Sequence, residues 1–255
     1  LPVTKTIPGD QYKQEDFTFI LTPVTENAPM PEDGKEILTI AGTGTANFGE
    51  MLYEKPGTWV YEVEEQPGQS SYYSYDDTTY LVTVSVVSED GELVASWSAK
   101  KADGASAEAL TFTNEYLTGD LTVTKTLEGN DTDSSKDFAF SVTLSDTSIS
   151  GTYSDVVFEN GVATFTLKGG ESKVIEGLPN GTGYTVEETD YSNDGYVTEK
   201  IGDTGTIDEN TPAIASFTNT RDTFGALTVS KTVSGNAASR TKAFTSTVTL
   251  SDATI

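Results

Sequence analysis

Leu121-Thr-Val-Thr-Lys125-Thr-Leu127 recurs as Leu1-Pro-Val-Thr-Lys5-Thr-Ile7 and as Leu227-Thr-Val-Ser-Lys231-Thr-Val233. Each phrase is rich in β-branched residues and alternates with the two-residue period of a strand. That period puts Val123, Lys125 and Leu127 on one face, with Thr124 and Thr126 on the other. Val3, Lys5 and Ile7 align in the same way, as do Val229, Lys231 and Val233. Every copy therefore aims a lysine at the core, where an ammonium is costly unless it is paired or loses its charge.

The surrounding composition agrees with an all-β chain. Thr, Val, Tyr and Gly are abundant, and no stretch carries an apolar stripe at helical spacing. Glu159-Asn-Gly-Val162, set between apolar runs, predicts a two-residue hairpin turn. The repeat sets the organisation. Leu121 and Leu227 open matching phrases 106 positions apart, and so do Phe138 and Phe244. Phe112-Thr-Asn114 and Phe217-Thr-Asn219 close two units. The expected division is a first unit over 1–117, a second over 118–222, and the first two strands of a truncated third repeat over 223–255. Those last strands lack the rest of a core, so either the chain was cut or they borrow a partner.

Composition removes several function classes. The 255 residues contain no Cys and no His, which excludes thiol nucleophiles, disulfides, Cys/His zinc sites and His-dependent triads. Forty acidic against 15 basic residues give a net charge of −25, a field that repels nucleic acid and anionic lipid. No apolar run is long enough to span a bilayer, and no cleavable signal opens the chain. Any secretion or anchoring signal would lie outside these residues. No cofactor or metal is expected. Asn130-Asp-Thr-Asp133 lacks the other ligands of a calcium loop and reads as a turn. Ala41-Gly-Thr-Gly-Thr-Ala-Asn-Phe-Gly49 fits no phosphate-binding pattern and reads as a loop between strands.

Two further polar residue types fall on core faces. Trp59, Tyr61, Val63 and Glu65 alternate inward along one predicted strand, and Tyr184, Val186 and Glu188 along another. Asn114 shares the face of Phe112, and Asn219 that of Phe217. Each complete unit thus buries a Lys early, a Glu in the middle and an Asn at its end. Burial lowers the lysine pKa and raises that of the carboxyl, leaving a neutral amine as nucleophile. A protonated Glu donating to the Asn oxygen would polarise the amide, and enforced contact would replace a bimolecular encounter. Attack at the Asn carbonyl carbon with loss of ammonia gives an isopeptide bond. A buried Lys–Glu ion pair with Asn as a hydrogen-bond partner is the plainer alternative. Recurrence of the triplet in order in two divergent units favours the bond.

With these phrases in view, the units resemble the Cna B-type isopeptide domains of Gram-positive pilins and surface adhesins. Over residues 1–219 the order is that of the two-domain streptococcal major pilins. The matching phrases are Val3-Thr-Lys-Thr6, the Glu65 strand, Tyr75-Asp-Asp77 and Phe112-Thr-Asn114. In the second unit they are Val123-Thr-Lys125, Gly129-Asn130, Tyr184-Thr-Val-Glu-Glu188, Asp194-Gly-Tyr196 and Phe217-Thr-Asn-Thr-Arg-Asp222. The resemblance implies tandem immunoglobulin-like β-sandwiches with Lys and Asn on adjacent first and last strands. It implies the triplets Lys5/Glu65/Asn114 and Lys125/Glu188/Asn219, with Glu65 and Glu188 catalytic in a single turnover and no conventional enzyme activity. Lys231 matches the lysine step alone and is expected to stay a free amine unless another chain completes its domain.

The implied role is a pilus shaft subunit or adhesin stalk outside the cell, anchored to the wall. Its partners would be other copies of itself or other pilins, joined by sortase. Lys100 and Lys101 are the nearest positional match to a sortase acceptor, although the tyrosine-proline-lysine type motif is absent. Leu1-Pro-Val-Thr4 lacks the glycine and apolar tail of a sorting signal and lies at the wrong terminus. The alternative function is direct binding of host glycan or matrix protein through loops or the Ser70–Tyr75 segment.

Overall fold

A computed structural model describes residues 1–9, 12–32 and 34–250. Among them the regular structure is β throughout, apart from one 3-10 turn at Ser192–Asp194. Among the described residues no helix is long and apolar enough to cross a membrane.

The first sandwich contains β1 (Pro2–Thr6), β2 (Asp16–Pro23), β3 (Ile37–Ala41), β4 (Gly44–Asn47), β5 (Gly57–Gln66), β6 (Tyr73–Ser74), β7 (Thr79–Glu89), β8 (Glu92–Lys101), β9 (Ser106–Ala107), β10 (Leu110–Thr113) and β11 (Glu115–Tyr116). A three-stranded sheet, β10-β1-β4, faces a six-stranded sheet, β3-β2-β5-β7-β8-β9. Between them lie Phe17, Phe19, Tyr61, Tyr80 and Phe112, each at most 2% exposed. Burying a large apolar side chain of this kind contributes about 1.5–3 kcal/mol. The Phe112 ring packs against Phe19 at 5.0 Å and edge-on to Tyr80 at 5.2 Å, which ties the two sheets together.

The second sandwich contains β12 (Thr118–Glu128), β13 (Phe138–Leu144), β14 (Gly151–Tyr153), β15 (Val156–Phe158), β16 (Val162–Leu167), β17 (Ser172–Pro179), β18 (Gly183–Glu188), β19 (Val197–Ile201), β20 (Thr204–Thr206) and β21 (Ala213–Thr220). Its sheets are β17-β12-β21-β19 and β16-β13-β18-β20, with Phe140 and Phe217 meeting edge-on at 5.2 Å between them. The expected hairpin forms between β15 and β16. Asn160 and Gly161 take φ of 51° and 77°, and Glu159 and Val162 exchange backbone hydrogen bonds.

In both sandwiches the first strand pairs in parallel with a strand at the unit's end, β12 with β21, the last, and β1 with β10, which only the two-residue β11 follows. Parallel neighbours cannot be hairpin partners, so each pairing closes nearly a whole unit. The inward alternation predicted for the lysine strands holds in the two sandwiches, where Val3, Lys5 and Ile7 are buried, as are Val123 and Lys125 with Leu127 half-buried. It fails at Val229 and Lys231, which are exposed. The resemblance to tandem immunoglobulin-like sandwiches is met in the fold.

Two expectations are corrected. Ala41–Gly49 is not simply a loop, because Gly44–Asn47 forms β4, antiparallel to β1. Its small residues carry too little apolar pattern to announce a strand. The third repeat carries no strand over 223–250. Leu227, Val229, Phe244 and Leu250 are exposed there. A strand needs a neighbour to take its N–H and C=O groups, and these segments pair with none. Residues 251–255 lie outside the described residues.

The sandwiches meet at a polar junction. Lys13 forms an ion pair with Asp146, which also accepts from the Tyr72 hydroxyl at 3.0 Å. The Asn180 side chain donates to the Ser71 carbonyl at 2.9 Å. Beside it Gly181, at φ +78°, approaches so closely that a Cβ there would sit 2.2 Å from Ser71 Oγ.

Candidate functional site

The strand pairing brings the first triplet together. Lys5 lies opposite Phe112 in the β1–β10 register, and Asn114 follows two residues later on the same face. Glu65 reaches them across the core from β5. Lys5 Nζ is 2.9 Å from Glu65 Oε2, and neither side chain is exposed to solvent. The Asn114 amide donates from Nδ2 to Glu65 Oε1 at 2.6 Å. Phe17 lies under the amine, with its ring centre 4.7 Å from Nζ.

Burial pushes the Lys5 pKa down, against the opposing pull of Glu65. Burial likewise pushes the Glu65 pKa up, more than Lys5 and Asn114 pull it down. Both shifts favour moving one proton from amine to carboxyl, which creates a neutral nucleophile beside an acid.

One detail departs from the sequence expectation. Asn114 Oδ1 faces the backbone N–H of Asp76 at 2.8 Å, while Glu65 touches the amide nitrogen. The N–H needs an acceptor, so this orientation of the carboxamide is fixed. Glu65 therefore does not polarise the Asn oxygen. One of its oxygens meets the Lys5 amine and the other the Asn114 amide nitrogen.

The second triplet is assembled by the same register. Lys125 lies opposite Phe217, and Leu127 opposite Asn219. Lys125 Nζ is 2.9 Å from Glu188 Oε1, with side-chain exposures of 0% and 2%. This is an ion-pair distance, but the angles do not make a hydrogen bond, and both atoms lack a hydrogen-bond partner. Asn219 Oδ1 and Nδ2 are also buried without partners. Phe138 repeats the role of Phe17, 4.4 Å beneath the amine. Burial lowers the Lys125 pKa ahead of the pull from Glu188. A buried polar group left unsatisfied costs about 1–3 kcal/mol.

The remaining candidates lie apart. Lys231 is exposed, with Nζ 4.8 Å from the Phe244 ring, an echo of the lysine–phenylalanine pairs in the two sandwiches. Lys100 and Lys101 are exposed at the end of β8. Within the Ser70–Tyr75 segment, Tyr73 is 4% exposed and packs edge-on to Phe17 at 5.2 Å. An aromatic platform using Tyr72, Tyr73 and Tyr75 together is therefore not available. Sequence reasoning missed the parts played by Asp76, Phe17 and Phe138. The recurrence of Phe138 at Phe244 was a usable signal for the phenylalanines, whereas a backbone N–H leaves none.

The chain is similar to known proteins in sequence and in fold. Residues 1–117 match the family model FctA, described as a Spy0128-like isopeptide containing domain. Residues 119–221 match a model described as a domain of unknown function, DUF7601. A pilin of Streptococcus pyogenes serotype M1 is 32% identical over 222 residues, which are 72% of this chain and 64% of that pilin. The chain thus spans somewhat less than two thirds of that relative. The pilus tip adhesin Cpa of Streptococcus pyogenes is 42% identical over 80 residues, covering 29% of this chain and 12% of the adhesin. The crystal structure of the major pilin from Streptococcus pyogenes matches with a TM-score of 0.68 at 25% identity, over 88% of this chain and 98% of that one.

Proposed function

We propose that this chain, which belongs with the Gram-positive pilins and surface adhesins that carry isopeptide domains, is a structural element of a cell-surface pilus. It acts as a shaft subunit or adhesin stalk, in two units over 1–117 and 118–222. Each unit is locked by one self-made bond, Lys5 to Asn114 and Lys125 to Asn219. Glu65 and Glu188 move the protons in a single turnover and are recovered. The subunits join other copies or other pilins through sortase, with Lys100 or Lys101 as acceptor, on a wall-anchored pilus.

The observation that carries this reading is a solvent-free Lys–Glu–Asn triplet bridging adjacent parallel first and last strands, present in both sandwiches. Tension on a tandem array enters a unit by its first strand and leaves by its last. A covalent tie between those strands carries the load past the sandwich, so the core is never pulled open. Burial of Tyr73 argues against the glycan-platform alternative.

Force spectroscopy on chains tethered at both termini tests the proposal. The native chain should show no unfolding step from either sandwich. A Lys5→Ala chain should release a step of roughly 350 Å, the extended length of about 110 residues less their folded span. Full-length unfolding steps in the native chain would overturn the proposal.

A further inference from the structure

The phrase Tyr75-Asp-Asp77 precedes β7 and has no role in the triplet, yet the structure builds it into the reaction centre. The Asp76 carboxylate is the hub of a tight turn. Its Oδ1 accepts the Thr78 backbone N–H at 2.8 Å, and its Oδ2 accepts the Thr113 N–H at 2.6 Å. Thr113 is the neighbour of Asn114, so one carboxylate fixes both its own backbone and the strand that presents the reacting amide. Burial opposes the charge on Asp76, but the hydrogen bonds from Thr78 and Thr113, with Lys5 nearby, outweigh it and hold the carboxyl below its ordinary pKa. The result of this clamp is the single hydrogen bond made by Asn114 Oδ1, from the Asp76 N–H at 2.8 Å.

We propose that the backbone N–H of Asp76 is the oxyanion donor for bond formation in the first unit, aimed by its own carboxylate. The inference rests on the isopeptide reading and specifies how that reaction is helped. Neutral Lys5 Nζ attacks Asn114 Cγ, and the carbonyl electron pair moves onto Oδ1. Charge gathers on the atom that faces the Asp76 N–H, within the 2.7–3.1 Å range where a fixed donor acts on a developing oxyanion. Lys5 Nζ gives up a proton to Glu65 Oε2, and Glu65 Oε1 returns one to Nδ2 as the Cγ–Nδ2 bond breaks. Ammonia leaves, the Cγ–Nζ amide remains, and Glu65 ends as it began. The second unit offers no counterpart, since Asn219 Oδ1 has no hydrogen-bond partner. The donor therefore belongs to the first unit and is not a shared part of the triplet.

Testing requires removal of the N–H without removal of the side chain. Cell-free synthesis in a Lys125→Ala background leaves only the first bond to form, and intact mass follows ammonia loss over time. Suppression of a stop codon at 76 with the α-hydroxy analogue of aspartate replaces the N–H by an ester oxygen and keeps the carboxylate. Bond formation should slow by about 10²–10³-fold, the usual effect of losing one oxyanion donor. Asp76→Ala keeps the N–H but loosens its aim and should slow the reaction less. Asp76→Pro, which also lacks the N–H, should match the ester wherever near-UV circular dichroism shows a native core. An ester chain that closes its bond at the unaltered rate overturns the proposal, as does an Asp76→Ala chain as slow as the ester. If the Lys125→Ala chain itself never loses ammonia, the isopeptide reading fails instead, so the two failures are distinguishable.

Discussion

Replacing Asn114 by Ala should remove the first bond while leaving the Lys5–Glu65 pair in place. The loop that this bond closes holds about 110 residues, and confining such a loop in the unfolded chain is worth about 5 kcal/mol by the disulfide analogy. The variant also strips a partner from the Asp76 N–H and from Glu65, which adds about 1–3 kcal/mol whether or not a bond exists. With a covalent bond the loss is about 6–8 kcal/mol, and without one it is only the smaller term. At roughly 4 °C per kcal/mol for a unit of this size, the bond alone is worth about 20 °C in Tm. Scanning calorimetry of the whole chain resolves the first sandwich as the transition that moves. Guanidinium unfolding supplies a second readout. An unfolded chain freed of its crosslink exposes more surface, so the m-value of that transition should rise. A loss within about 3 kcal/mol at an unchanged m-value would refute the covalent account and leave a buried ion pair in its place.

Amine-reactive labelling of the denatured chain should modify Lys231, Lys100 and Lys101 but neither Lys5 nor Lys125; modification of Lys5 or Lys125 would mean a free amine there. The junction between the sandwiches has its own pH signature. Burial opposes the charge on Asp146, but Lys13, Ser148 and Tyr72 hold its carboxyl well below the usual range. A depressed carboxylate contributes stability that is present above its unfolded pKa and lost only as pH falls through the lower folded value. Energy transfer between dyes on the two sandwiches should therefore stay constant as pH falls through about 4, where free carboxylates protonate. An Asp146→Asn chain should show altered transfer already at neutral pH. A transition centred near the ordinary carboxylate pKa in the native chain would contradict the junction as described.

Much of this architecture is legible in the sequence because a strand has a period of two. A lysine, a glutamate and an asparagine in phase with aromatic neighbours must share the core with them, and the structure places all six there. Strand pairing is less legible. β4 hides in Gly44-Thr-Ala-Asn47, where small residues pair with β1 while burying little apolar surface of their own. The repeat at 227–233 and 244–250 carries the right alternation but no strands, since alternation supplies a face and not a neighbour. Asp76 was visible only as part of a phrase that carries the resemblance to the pilins. Its carboxylate sets a backbone geometry, and its contribution comes through an N–H that every residue except proline possesses. The junction formed by Lys13 and Asp146 joins positions far apart in the chain, with no periodic pattern to connect them.

The central claim is that four residues have become two amide bonds, and the mass of the intact protein tests it most directly. The account predicts a chain lighter than its sequence by two ammonia molecules, with Glu65→Ala and Glu188→Ala each restoring one. A mass equal to that of the unmodified sequence would contradict it.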